Sequence, residues 1–329
     1  MSQAAQLAAT PPDPAAEPDV SDVSGVFDAG GRAAVRIGTL TVGEGLPVAV
    51  IGGDDARWLS LRALHGRRSA AEAVAEARAE WSGPLLVEPF SAEDLDAVAA
   101  GADGVLVGAA WMQDFQLVRA AARLGLPIVV QRGPAATLEE WLAIADYCVA
   151  EGNDRVVLCE NGSRTHGSVA VLDMALMRAA RERSGRPVLA DLGGDVTLAA
   201  AAVAAGADGL LLAPDAPADV VAAAAEAATV LAALVRHEAP ESVGRAREAI
   251  DRVDAALATL LERRAVLAGT VQRLKPVGGF AGRDMDRERR LVAAMAHRAP
   301  RLGEVRLAPV MNAVIEAGLH LAEEERGRS

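Results

Sequence analysis

The pattern of apolar residues changes once along this chain, near Arg236. Upstream of it, short runs such as GVLVG (104–108), PIVVQ (127–131), RVVLCE (155–160) and GLLLA (209–213) recur between helical patterns. These runs are apolar throughout, not at alternate positions. A strand that is apolar on both faces must be covered on both, as in a parallel sheet wrapped by helices. Strands are expected at 34–40, 47–51, 57–62, 84–88, 103–107, 127–131, 155–159, 187–191 and 208–212. Helices are expected at 92–99, 113–124, 137–150, 171–184, 196–205 and 217–235. Eight such units, counted from 47–51, predict a shortened α/β barrel of the (β/α)8 type, with 34–40 as an added hairpin. AGADGVL (100–106) and AGADGLL (205–211) read as one device used twice, a helix-ending glycine that feeds a buried strand.

Downstream of Arg236 the strand signal stops and only helical periodicity remains. Helices are expected at about 242–275, 283–298 and 303–325, with Pro276, Gly278 and Gly279 ending the first and Pro300 separating the others. The first would span roughly 50 Å, too long for two short partners to cover. Its apolar stripe includes Ile250, Val253, Leu257, Leu260, Leu267 and Val271, so a second copy of the chain is the expected cover. The chain therefore reads as multidomain: a tail over 1–30, a barrel over 31–236 and an all-α three-helix domain over 242–326, assembled as a homodimer or higher.

Composition removes several function classes. A net charge of −12 with no basic stripe argues against a nucleic-acid partner. Cys148 and Cys159 form neither a disulfide framework nor a CxxC clip, which predicts a reducing, cytoplasmic setting. The first thirty residues lack a basic region followed by an apolar one, so no secretory signal and a disordered tail are expected. No run reads as a membrane span; 198–212 is short and broken by Asp208.

The informative charges lie in the helical region: Arg247, Arg264, Lys275, Asp284, Arg287 and Glu288. Arg264 and Lys275 are eleven residues apart, so on one helix they differ by only about 20° and share a face. Arg247, seventeen residues before Arg264, falls about 100° away and about 25 Å down the axis. It cannot reach the same ligand within one chain, but across an antiparallel dimer it can. Asp284, Arg287 and Glu288 stand at i, i+3 and i+4, one helical face. Any one of these charges alone would be read as part of a solvated stripe.

As an ordered set they match a family. REAIDRVDAALATLLERRAVLAGTVQRLK (247–275) followed by GRDMDRERRL (282–291) resembles the all-helical, AroQ-type chorismate mutases over about 247–323. The resemblance implies that chorismate rearranges to prephenate, without metal or cofactor, in a dimer of intertwined three-helix chains. Carried over, Arg247 of the partner subunit and Arg264 would bind carboxylates. Lys275 would bind a carboxylate and the breaking ether oxygen. Asp284 and Arg287 would line the pocket, and Glu288 would lie near the substrate 4-hydroxyl. The family's third helix carries a Ser and, four residues on, a Gln or Glu that bonds the ether oxygen. Here Gly318 and Ala322 hold those places. That departure leaves open a weak mutase, one completed by a shikimate-pathway partner, or one retuned for 4-amino-4-deoxychorismate. The competing class is a non-catalytic chorismate-binding or regulatory protein.

The upstream region has its own resemblance. RIGTLTVGEGLPVAVIGG (36–53), GVLVGAAWMQDF (104–115), PIVVQRGPAATLEEWLAIADYCVAEGNDRVVLCENGSRT (127–165) and AAGADGLLL (204–212) resemble the short DAHP synthases over about 34–235. That family condenses phosphoenolpyruvate with erythrose 4-phosphate using a divalent metal. Its metal-binding Cys would fall near Asp54, its His meets DLGGD (191–195), and its Glu meets Ala213. Its lysine and two arginines meet Gln131, Asn161 and Ala110, and about thirty residues around the first helix and second strand have no counterpart. The resemblance therefore implies a barrel without metal and without synthase activity, kept for structure or regulation. Glu88, Arg132, Glu160, Arg164 and Asp191 remain at the rim, with Glu160 expected to pair with Arg132 or Arg164. His166 reads as a loop residue.

Overall fold

The computed structural model describes residues 33–164, 170–236, 240, 242–275, 277 and 279–328. The expected tail over 1–30, His166 and Pro276 lie outside them.

The described chain opens with a small antiparallel hairpin, β1 (Val35–Ile37) and β2 (Leu40–Val42). Then come β3 (Ala49–Ile51), β4 (Arg57–Ser60), α1 (Leu61–Leu64), α2 (Ala70–Glu80), β5 (Leu85–Glu88), α3 (Leu95–Gly101) and β6 (Gly104–Val107). The pattern continues through α4 (Phe115–Arg123), β7 (Ile128–Gln131), α5 (Leu138–Ala150) and β8 (Val156–Glu160). A two-residue ribbon, β9 (Ser163–Arg164) and β10 (Ala170–Val171), precedes α6 (Met174–Ser184), β11 (Val188–Gly193), α7 (Ala199–Ala204), β12 (Gly209–Leu212) and α8 (Ala218–Val235).

Eight parallel strands lie in the order β3-β12-β11-β8-β7-β6-β5-β4, a nearly closed barrel. Inside it Leu86, Leu106, Val129, Val157, Leu189 and Leu211 pack with Ile37 and Val42 of the hairpin. The alternate residues, among them Val87, Val105, Val130 and Leu158, pack outward against the helices. This two-sided burial is why the strands carry no alternation.

The barrel is incomplete at one seam. Between β3 and β4 there is one parallel bridge, Ile51 with Ala56, and no ladder. Only residues 52–56 join the two strands, too few for the helical crossover that parallel neighbours require. Trp58 of β4 reaches across the seam and donates its indole N–H to the Leu212 carbonyl at 2.6 Å.

Local differences from expectation have local causes. The strand expected at 57–62 stops at Ser60, whose hydroxyl accepts from the Ala63 N–H (3.2 Å) and starts α1. The sequence reading missed α2, which a Ser69/Glu72 capping box initiates. The 171–184 segment begins as strand, and its helix starts at Met174 behind Asp173. One further correction concerns membranes: by length and composition alone, α8 is apolar enough to cross one. Its apolar character is mostly alanine, and Ala224, Ala228 and Ala232 are buried.

Three helices follow: α9 (Val243–Leu274), α10 (Met285–Ala296) and α11 (Gly303–Arg328). Ser242 caps α9 by accepting from the Arg245 N–H at 3.2 Å. α11 packs on both α9 and α10, and α9 also packs on α8. The apolar stripe of α9 stays in solvent in the single chain: Ile250 is 58% exposed, Leu267 60% and Leu274 79%. Between α8, α9 and the barrel floor lies a groove of about 740 Å³ that includes Leu46, Val48, Ala232, Ile250 and Val253.

Candidate active site in the helical region

Lys275 is the residue where α9 ends. A residue before proline is disfavoured in helical conformation, and Lys275 turns out to ψ 138°. It thus leaves the helical face it was expected to share with Arg264. Its ammonium instead donates to the Gly282 carbonyl at 2.9 Å, which holds the loop against the end of α9. Gly279 adopts φ 67° there, a conformation that favours glycine. Its N–H donates to Gln272 Oε1 at 2.8 Å.

Asp284 is the N-cap of α10, its Oδ1 accepting from the Arg287 N–H at 2.9 Å. That bond holds its carboxyl below the ordinary range. The expected single face of Asp284, Arg287 and Glu288 is therefore corrected: Asp284 stands outside the helix and starts it, while Arg287 is exposed.

Arg264 lies against α11. Its Nη1 donates to the Val314 carbonyl at 3.3 Å. A side chain at Gly318 would begin 3.8 Å from that nitrogen and 3.6 Å from Ala268 Cβ. Gly318 and Ala322, one turn apart and both buried, occupy this inner side of α11. Arg247 is exposed on α9, well before Arg264 in the chain.

One polar cluster in the region, centred on Arg283, was not singled out from sequence. Arg283 donates from Nε to Glu288 Oε1 (2.9 Å) and from Nη2 to Glu288 Oε2 (2.9 Å). Its Nη1 donates to Glu316 Oε1 at 3.1 Å, and Nη2 also reaches Asn312 Oδ1. The bonds that Arg283 donates to Glu288 and Glu316 raise its pKa, and the same guanidinium holds the Glu316 carboxyl low. The only sequence signal was position, a cation directly before an N-cap Asp.

The barrel rim is internally paired. Arg132 and Glu160, at 1% and 0% exposure, form a two-point bridge of 2.5 and 2.7 Å. Arg132 also donates to the Gly133 and Ala136 carbonyls (3.1 and 3.0 Å) and Glu160 accepts from Gly162 and Asp173 N–H groups (3.0 and 3.1 Å). Ser60 and Arg62 donate to Glu88. Asp191 accepts from Gln131 Nε2 and the Gly193 N–H, each at 2.8 Å, and burial pushes its carboxyl up to about 6. Among the described residues, no three His, Cys, Asp or Glu side chains are grouped to hold a metal. Asp54 is exposed on the β3–β4 loop, and Ala213, which follows β12, has no side chain that could hold a divalent metal.

Residues 69–213 match the DAHP synthetase I family, and residues 246–323 match chorismate mutase type II. Phospho-2-dehydro-3-deoxyheptonate aldolase of Thermotoga maritima is 33% identical over 150 residues, 43% of this chain and 44% of that protein. 2-dehydro-3-deoxyphosphooctonate aldolase of Acidithiobacillus ferrooxidans is 28% identical over 153 residues, 41% of this chain and 54% of that one. The matches thus span about half the length of these relatives. A solved structure, a truncated 3-deoxy-D-arabino-heptulosonate 7-phosphate synthase from Thermotoga maritima, superposes with a TM-score of 0.52 at 22% identity, covering 62% of this chain and 92% of that one. That likeness is one of fold. The chain joins a domain of the DAHP synthetase I family to a C-terminal chorismate mutase domain of type II.

Proposed function

We propose that the helical domain converts chorismate to prephenate in a pocket shared by two chains. The observation that carries this reading is the ordered cation series Arg247, Arg264, Lys275 and Arg287 inside the segment that matches chorismate mutase type II. The reaction is a Claisen rearrangement: the ether C–O bond breaks as a C–C bond forms. It needs no nucleophile, base or metal. It needs the enolpyruvyl arm held over the ring and the charge growing on the ether oxygen stabilised, which positioned cations supply. Arg264 binds a substrate carboxylate, Lys275 a carboxylate and the ether oxygen, and Glu288 the ring hydroxyl. Arg287 lines the pocket, and Arg247 enters from the partner subunit. The exposed stripe of α9 supports that dimer.

The barrel we assign a structural or regulatory part without synthase activity. Its paired Arg132–Glu160 bridge and the uncharged residues Gln131, Asn161 and Ala213 support this. Gly318 and Ala322, which offer no donor to the ether oxygen, favour a second reading, a chain that binds chorismate without turning it over.

Loss of chorismate absorbance with the purified full-length chain decides between them. Turnover above the uncatalysed rate is expected; none, with or without an added shikimate-pathway enzyme, removes the mutase reading. Formation of 3-deoxy-heptulosonate 7-phosphate with any divalent metal would overturn the inactive barrel.

A further inference from the structure

The loop between α9 and α10 holds a cation to which the mutase resemblance gives no part. Arg283 precedes the N-cap Asp284, so its direction is set by the loop and not by the period of α10. Its side chain is only 15% exposed. The guanidinium fork is turned onto both oxygens of Glu288, with its remaining donors on Glu316 and Asn312 of α11. A two-point arginine–carboxylate bridge fixes the plane of the carboxylate as well as its distance; a lysine fixes only the distance. Arg283 also stands between two carboxylates, Glu288 on α10 and Glu316 on α11. Glu288 is therefore oriented by contacts made within the chain itself.

We propose that Arg283 is a positioning residue of the mutase site, fixing the plane of the Glu288 carboxylate against the ring hydroxyl of the substrate. The inference rests on the mutase reading given above. A carboxylate has about four lone-pair directions. The fork takes those on one edge of Glu288 and leaves the others for a hydroxyl donor, on an acceptor that cannot rotate. Orientation of this kind contributes to rate because the geometry is set before the reaction begins. Arg283 acts through Glu288 and has no role once that carboxylate is gone.

A double-mutant cycle on the full-length chain tests this. Arg283→Ala is expected to lower kcat/KM by roughly tenfold or more, with the thermal midpoint recorded beside it. In a Glu288→Ala background, the same change is expected to cost less than about twofold. A merely structural arginine would cost the same in both backgrounds, and that additivity would overturn the proposal. If Arg283→Ala fails to fold, Arg283→Lys carries the same cycle, because it keeps the charge and loses the fork. An intermediate loss that disappears without Glu288 supports the proposal, and an unchanged rate rejects it. Absence of turnover in the unmodified chain is a separate result, removing the mutase reading and this inference together.

Discussion

In the proposed mutase site, Ala322 holds the place at which the AroQ-type mutases that this domain resembles carry a donor to the ether oxygen. It is 8% exposed on the side of α11 that carries Gly318. One preorganised donor to a developing oxyanion is commonly worth about 3 kcal/mol. Ala322→Gln is therefore expected to raise kcat by roughly 10- to 100-fold, read as chorismate loss at saturating substrate. No gain would mean that the ether oxygen does not approach this turn. In the barrel, Asp191 carries a testable pH dependence. Its carboxyl titrates near 6 when folded, against about 3.9 when unfolded. The folded state holds the proton longer, so this contribution is full below about pH 4 and is lost as pH rises through 6. Relative to Asp191→Asn, the parent chain should lose about 2–3 kcal/mol between pH 4 and 7.5 in urea unfolding. A difference that does not change with pH would place the carboxylate in water.

Among the secondary-structure elements, the duplicated AGADG turn has a structural role beyond ending helices. Asp103 accepts from the Leu85 N–H (2.9 Å) and from Arg78 of α2 (2.7 Å). Asp208 does the same one half-barrel on, with the Val188 N–H (3.0 Å) and Arg181 of α6 (3.2 Å). Each aspartate therefore ties the start of its strand to the neighbouring strand and to a preceding helix. The two differ in burial, Asp103 at 31% and Asp208 at 1%. Removing one partner of a buried pair costs far more than of an exposed one, so Asp208→Ala should cost about 3–5 kcal/mol and Asp103→Ala about 1 kcal/mol. Chemical denaturation of both variants checks the ranking; equal losses would show that burial does not set it. The repeat was visible in the sequence as a turn. Its carboxylate function was not, because the partners lie 18 to 27 residues away in other elements. The end of α9 shows a similar limit. The proline after Lys275 signalled in the sequence that the helix ends there, but the Gly282 carbonyl that its ammonium meets was not legible.

For the whole molecule, the exposed stripe of α9 and the distance of Arg247 from Arg264 along that helix point the same way. Under the proposed mutase reading, a second chain lying antiparallel on the first would answer both. Complementation tests it. Arg247→Ala and Lys275→Ala variants, each inactive alone, should regain about a quarter of parental activity when unfolded and refolded together in equal amounts, since half the dimers are mixed and each holds one intact site. No recovery would place each complete site within one chain.

The residues alone carry the periodicities: continuous apolar strands for a parallel barrel, a long amphipathic helix and its two successors, and the order and spacing of the cations. Each follows from local backbone geometry, which a run of side chains reports directly. The packing of the elements set the open seam beside β3, the bond of Lys275 to the Gly282 carbonyl and the fork of Arg283 on Glu288 and Glu316. The physical reason is that a charged side chain takes its partner from whatever the packed elements bring within about 3 Å. That proximity is a property of the fold and is not written in the spacing of the residues along the chain.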